Sequence, residues 1–300
     1  MPTEFENQLY ELYLDFFRHA EANRRWNIEK DIPWDKVNPN ISEKIAYILE
    51  GFTAVEMFLP DYTSKSLHLI RSSRGRAWFQ ANWGYEESKH SMVFEEWLVR
   101  SGKKTVKEVR DFADTLLGKE WDLLPIDTPE EMIVYTMLQE LATQLNYRKL
   151  RALVKAEGDE ALETALHFVG RDEASHHKFF KDGVKLLLDY DRDKTLETIQ
   201  HVASNFRMPA IDLIPNWQAY EDTIIEAGIF TSRIYLGEVL LPTLRSLGIT
   251  RAELKAMRRG TGLNITVPET NGHKENGQVE FSEVTEQPTV EPHPQIDKTS

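Results

Sequence analysis

"GYEESKHSMVFEEW", residues 84 to 97, places a carboxylate and an imidazole where helical periodicity calls for oil. At 3.6 residues per turn Trp83, Glu87, His90, Phe94 and Trp97 share one stripe, at the spacing of a core-facing helix. A buried carboxylate costs several kcal/mol unless it is paired or protonated, so this stripe needs a reason.

The rest of the chain repeats the anomaly. Glu173 and His176 lie on the stripe Leu162, Leu166, Val169, Glu173, His176, Phe180, and Glu-x-x-His puts both groups on one helix face, as it does for Glu87 and His90. Two further stripes each carry a lone acid: Ile45, Leu49, Phe52, Glu56, Leu59, and Ile133, Met137, Glu140, Leu141, Gln144. Four long helices thus turn one Glu inward, with no matching inward Lys or Arg. Two divalent ions would cancel four carboxylates and use both neutral imidazoles.

Composition narrows the ligand chemistry. The 300 residues include no cysteine, which excludes disulfides and thiolate sites and leaves His and carboxylate as metal ligands. A formal charge of -13 disfavours nucleic acid as a bulk partner. No apolar run is long enough to span a bilayer, and "MPTEFENQLYELYLDFFRHAE" lacks a signal-peptide pattern, so a cytoplasmic protein outside the membrane is expected.

The periodicity predicts an all-α domain over 1–264, with helices at 3–22, 42–59, 73–101, 104–117, 128–156, 159–187, 191–206, 215–246 and 249–259. Asn40 and Ser42 open the second helix and Pro60 follows it, Asp127 or Thr128 caps the fifth, and Pro215 suits a first turn. Residues 265–300, rich in Pro, Glu, Thr, Asn and Gln, read as a disordered polar tail.

One Glu from each of two helices plus Glu-x-x-His from each of two others is the di-iron carboxylate pattern of ferritin-like four-helix bundles. Through "VEMFLPDY", "WGYEESKH", "QELATQ" and "RDEASHH" the sequence resembles the soluble acyl-acyl-carrier-protein desaturases over most of residues 20–250. The resemblance implies two Fe ions, with Glu87 and Glu173 bridging them, Glu56 and His90 completing one, and Glu140 and His176 the other. It also implies Thr143 on the oxygen-binding side, Asp172 behind a ligand imidazole and linked to Trp26, and Trp83 near the cluster. The implied co-substrate is O2 and the implied partners are an acyl carrier protein, a ferredoxin-like electron donor and a second copy of the chain in a homodimer.

This sequence departs from the plant pattern where Ala174 and Ser175 replace the basic residues after the second acid pair, and where Val55 and Phe52 precede Glu56. Tyr135, Thr136, Met137 and Leu138 are candidate walls of an acyl channel. An acidic carrier needs a local basic patch, for which Arg71, Arg74 and Arg76, then Arg148, Lys149 and Arg151, then Lys255, Arg258 and Arg259 are candidates. Another ferritin-like oxidase or oxygenase, such as a relative of the ribonucleotide reductase small subunit or an N- or C-oxygenase, would share the ligands and change the chemistry. A helical interaction module with incidental acids would bind no metal at all.

Overall fold

A computed structural model describes residues 3–122 and 126–261, and the tail at 265–300 lies outside them. The elements in chain order are α1 (Thr3–His19), a π-helical turn (Ala20–Arg24), α2 (Ile28–Asp31), α3 (Glu43–Glu56), α4 (Leu59–Ile70), α5 (Arg74–Arg100) and α6 (Val106–Leu117). They continue with α7 (Pro129–Glu157), α8 (Glu160–Tyr190), α9 (Arg192–Ser204), α10 (Trp217–Glu226), α11 (Ser232–Ile234), a second π-helical turn (Tyr235–Leu240), α12 (Leu241–Ser246) and α13 (Arg251–Thr261). Among the described residues there is no strand, and no helix is long and apolar enough to cross a membrane.

The long helices α3, α5, α7 and α8 pack on one another as a ferritin-like four-helix bundle, with α1, α4, α9 and α10 laid against its outside. Local chemistry fixes where the rods begin. Thr128 accepts from the Glu131 amide while Glu131 reaches back to the Thr128 amide, with Pro129 at the first helical position. The far end stops at Gly158, whose φ of 77° lies in the left-handed region. Asp159 then caps α8 by accepting from Leu162 N at 2.7 Å, and it also accepts from Trp97 Nε1 at 3.0 Å, which ties that cap to α5.

Three expectations fail for local reasons, the smallest being that Pro215 precedes Asn216, the residue before α10, and so lies outside the first turn it was expected to occupy. Pro60 does not end a helix; it occupies the first turn of α4, where its missing N–H costs nothing, so a helix stands at 59–70 that periodicity did not reveal. The single rod expected at 215–246 breaks at Gly228, whose φ of 66° closes α10, and the chain restarts with Thr231 capping α11. Thr128 rather than Asp127 caps α7.

Buried apolar side chains form two clusters rather than one. The first gathers Ile48, Phe94, Trp97, Leu150 and Leu162, the second Leu9, Phe79, Trp83, Leu138 and Phe180. Along α5 the second cluster ends at Trp83 and the first begins at Val93; along α8 the first ends at Val169 and the second resumes at Phe179. Between those levels lie the inward acids and imidazoles, so the bundle carries a polar layer across its middle.

Helix α1 reaches the bundle over Gly75, where a Cβ would lie 2.5 Å from the Leu9 carbonyl carbon and 2.6 Å from its oxygen. Backbone cannot yield as a side-chain tip can. Gly75→Ala is expected to cost about 3 kcal/mol, a fall of roughly 6–12 °C in Tm for a domain of this size. Unchanged thermal unfolding would show that α1 is not seated this closely.

Candidate metal centre

Six groups meet in the polar layer. Glu56 from α3, Glu87 and His90 from α5, Glu140 from α7, and Glu173 and His176 from α8 are all at least nine-tenths buried. They fall into two sets of four, Glu56, Glu87, His90, Glu173 and Glu87, Glu140, Glu173, His176, each with one donor atom per residue within 4.8 Å of the others. Glu87 and Glu173 belong to both sets.

Atom by atom the sharing is symmetric. Glu87 turns Oε2 toward His90 Nδ1 at 3.2 Å and Oε1 toward His176 Nδ1 at 3.0 Å. Glu173 does the same, Oε1 to His90 Nδ1 at 3.3 Å and Oε2 to His176 Nδ1 at 3.6 Å. Of the two imidazoles Glu140 faces His176, with Oε2 3.3 Å from Nδ1. Each central carboxylate therefore offers one oxygen to each side, and each imidazole presents Nδ1.

Those atoms lack protein partners. Glu87 Oε1, Glu140 Oε2, both Glu173 oxygens and the Nδ1 atoms of His90 and His176 are buried without a hydrogen bond. Native interiors satisfy such groups, so the donor set fits two hard-to-borderline divalent cations at a di-metal centre. Four carboxylates and two dications close the charge.

The outer groups are built in parallel. Behind His176, Glu86 Oε2 lies 2.6 Å from Nε2; behind His90, Asp172 Oδ2 lies 3.5 Å from Nε2, at the outer edge of a hydrogen bond. Trp26 Nε1 donates to Asp172 at 2.7 Å. Arg24 bonds to both acids, and Arg25 adds a second cation at Glu86. Two acids thus face two guanidiniums.

The two outer carboxylates of the cluster each have a neutral donor. Trp83 Nε1 donates to Glu140 at 2.9 Å, so this tryptophan both packs in the second apolar cluster and touches a candidate ligand. Tyr147 donates its hydroxyl to Glu56. Thr143 accepts from Gln139 Nε2 at 3.1 Å and faces the adjoining cleft, so it does not simply bond back along its own helix.

Without ions the cluster holds protons. Burial, then the Glu87 charge, pushes Glu56 well above the usual carboxylate range; burial, then Glu173, does so for Glu140. Burial alone would depress both imidazoles, yet the surrounding carboxylates raise His90 and His176 well above their ordinary value. For Asp172 burial is outweighed by His90 and Arg24, which hold it down at about 2, and His176 with Arg24 likewise lowers Glu86. Cations must displace those protons, so metal binding is expected to release protons and to weaken as pH falls. Calorimetric heats that do not change between buffers of different ionisation enthalpy would contradict this.

A cleft of about 970 Å³, partly open to solvent, ends at Glu56 and Glu87. Its walls come from α3 (Phe52, Val55), α4 (Tyr62, Ser66), α7 (Tyr135, Thr136) and the segment 208–230 (Met208, Ile211, Tyr220, Phe230). Of the four wall candidates Tyr135 and Thr136 line it; Met137 and Leu138 turn away into the second apolar cluster, one helical step off the cleft face. Among the basic candidates, Arg76 is buried against Glu6, and Arg148, Lys149 and Arg151 pair with Glu238 and Glu163. Arg71, Arg74 and Lys255 stay exposed, while the side chains of Arg258 and Arg259 lie outside those described.

Sequence reasoning missed Glu86, Tyr147 and the walls at 208–230. A signal for Glu86 existed in the doubled acids of "EESKH" and "RDEASHH", where the residue before each central Glu is also acidic. Tyr147 stands two turns after Glu140 on the same stripe.

Comparison with known proteins agrees with this architecture. Residues 16–259 match the family model described as fatty acid desaturase. A rice protein (Oryza sativa subsp. indica) named acyl-[acyl-carrier-protein] desaturase 7, chloroplastic, is 26% identical over 230 residues, 71% of this chain and 55% of that protein. The chain therefore spans about half the length of that relative. In fold it is similar to the solved structure of DesA2, a candidate acyl-ACP desaturase of Mycobacterium tuberculosis H37Rv, with a TM-score of 0.63 at 18% identity over 85% of this chain and 99% of that one. A variant of an R2-like ligand-binding oxidase with a reconstituted Mn/Fe cofactor gives a TM-score of 0.56 at 18% identity over 81% and 94%. With the family model covering most of the described residues and the bundle agreeing with it, the chain belongs to the fatty acid desaturase family.

Proposed function

We propose that the chain is an acyl-[acyl-carrier-protein] desaturase that uses O2 and a pair of irons to place a cis double bond in a carrier-bound saturated chain. The observation that carries this reading is the mostly apolar cleft that runs to Glu56 and Glu87. Glu56 and His90 would hold one iron, Glu140 and His176 the other, and Glu87 and Glu173 both. Bound and reduced, such a pair would supply with O2 an oxidant able to take hydrogen from unactivated methylenes.

The protein's own share is geometric. Phe52, Tyr135, Tyr220 and Phe230 would hold the acyl chain in a dry groove and keep water from the reacting carbons. Gln139 and Thr143 put a hydrogen-bonded hydroxyl on the wall one turn from Glu140, suited to hold a proton beside the reacting bond. Trp83 and Tyr147 fix the outer carboxylates, while Asp172 with Trp26, and Glu86 in parallel, orient the imidazoles. Overall, an acyl chain, O2, two electrons and two protons give an alkene and two waters. A ferredoxin-like protein is the proposed electron donor and the cytoplasm the proposed location.

The acidic carrier would meet the exposed cations Arg71 and Lys255, since Arg74 lies over the Trp78 ring at 4.1 Å. Its binding should weaken markedly as salt rises toward physiological strength and beyond, and a salt-independent Kd would exclude an electrostatic docking face. A homodimer is proposed on the exposed apolar stripe of α5, where Trp78, Tyr85 and Met92 recur at seven-residue spacing and are 48%, 55% and 56% exposed.

The direct test reduces the iron-loaded protein without air, then adds O2 and stearoyl or palmitoyl carrier protein. Mass spectrometry should find an acyl chain lighter by two hydrogens. A chain heavier by one oxygen would favour an oxygenase, and no change with any acyl thioester would overturn the reading.

A further inference from the structure

One buried cation beside the centre is neither a candidate ligand nor a wall of the cleft. Arg24 closes the π-helical turn that prolongs α1, is 3% exposed, and lies over the Phe16 ring at 5.0 Å. Its Nη1 donates to Asp172, and its Nη2 donates to Glu86 Oε1 at 2.8 Å and Oε2 at 2.9 Å. Asp172 stands behind His90 and Glu86 behind His176. One planar group therefore joins the acid that orients one imidazole to the acid that orients the other.

We propose that Arg24 is a positioning residue that couples the two metal positions, so that they fill as a pair rather than one ion at a time. This coupling presupposes the paired centre proposed above.

A guanidinium cannot move one nitrogen independently of another, because its donors form a rigid fork. An ion at His90 fixes that ring, hence Asp172, hence Arg24, and the same fork then holds Glu86 and His176 in place before a second ion arrives. The first ion thus bears part of the ordering cost of the second, which is positive coupling between sites. Its position supports the fork: Arg171 Nη2 donates to the Arg24 carbonyl at 2.5 Å, and the Arg24 guanidinium lies over the Phe16 ring. Arg25 cannot do the same work. It is 23% exposed in its side chain and of the two acids reaches only Glu86.

Manganese(II) is a suitable probe because an isolated ion gives a resolved hyperfine EPR signal, whereas two ions bridged by shared carboxylates couple and lose it. In the full chain, sub-stoichiometric Mn²⁺ should give chiefly the coupled signal. In Arg24→Gln the isolated-ion signal should dominate at the same loading, with affinity for the second ion lower by about 10-fold or more. Arg24→Lys keeps the charge but not the fork and should behave like Arg24→Gln; it also carries the test if the glutamine variant does not fold. Arg25→Gln should retain pairwise filling.

Pairwise filling in both Arg24 variants would overturn the proposal, as would one-at-a-time filling in the unmodified chain that becomes coupled only at saturation. If saturated, unmodified protein gave no coupled signal at all, the paired centre itself would fall, a different result from losing the coupling alone.

Discussion

Glu173→Ala is expected to abolish binding of both metal ions and with it all acyl oxidation, and to leave the metal-free protein less stable than the unmodified one. Glu173 is the inward acid with both oxygens buried and unpartnered, and each faces a different imidazole. Its loss removes a ligand from two positions at once. In the metal-free fold Glu56 and Glu140 hold protons, and so do the two imidazoles that Glu173 faces, so the same deletion strips a buried carboxylate from two cations. Ligand linkage gives the size of the contrast. Metal at 100 times its Kd should stabilise the unmodified protein by about 2.7 kcal/mol, a rise of roughly 5–11 °C in Tm for a domain of this size. Glu173→Ala should show none of that rise. Equal metal content in variant and parent, read by elemental analysis, would refute the bridging role.

Filling the cleft should separate chemistry from metal binding. Thr136 lines the wall one turn before Glu140, and its hydroxyl bonds back to the Met132 carbonyl rather than to the cluster. Thr136→Trp is expected to leave metal content unchanged and to lower kcat/KM for an eighteen-carbon chain by about 100-fold. The figure assumes that about four methylenes are displaced at roughly 0.8 kcal/mol each, near 3 kcal/mol in all. Shorter acyl chains should lose less. A variant that oxidises the long chain at the parental rate would mean that the substrate lies elsewhere.

The four inward stripes were legible because each is a local pattern: helical periodicity assigns Glu56, Glu87, Glu140 and Glu173 to core faces without knowing what lies opposite. The same locality explains what was lost. Arg24 acquires its meaning only by meeting Glu86 and Asp172, 62 and 148 residues away in sequence, and no periodicity encodes that encounter. Tyr147 resembles a core aromatic until α3 brings Glu56 to its hydroxyl. Pro60 was misread because proline both follows a helix and opens the next, and only the arriving turn shows which. The far wall of the cleft comes from 208–230, where short helices and turns break the signal on which periodicity depends.

The most direct measurement of the central claim is an anomalous diffraction map at the iron edge from crystals of iron-loaded protein. Two peaks about 3.5–4 Å apart, both between Glu87 and Glu173, with one beside His90 and the other beside His176, are the expected result. A single peak, or none with those carboxylates still turned inward, would contradict it.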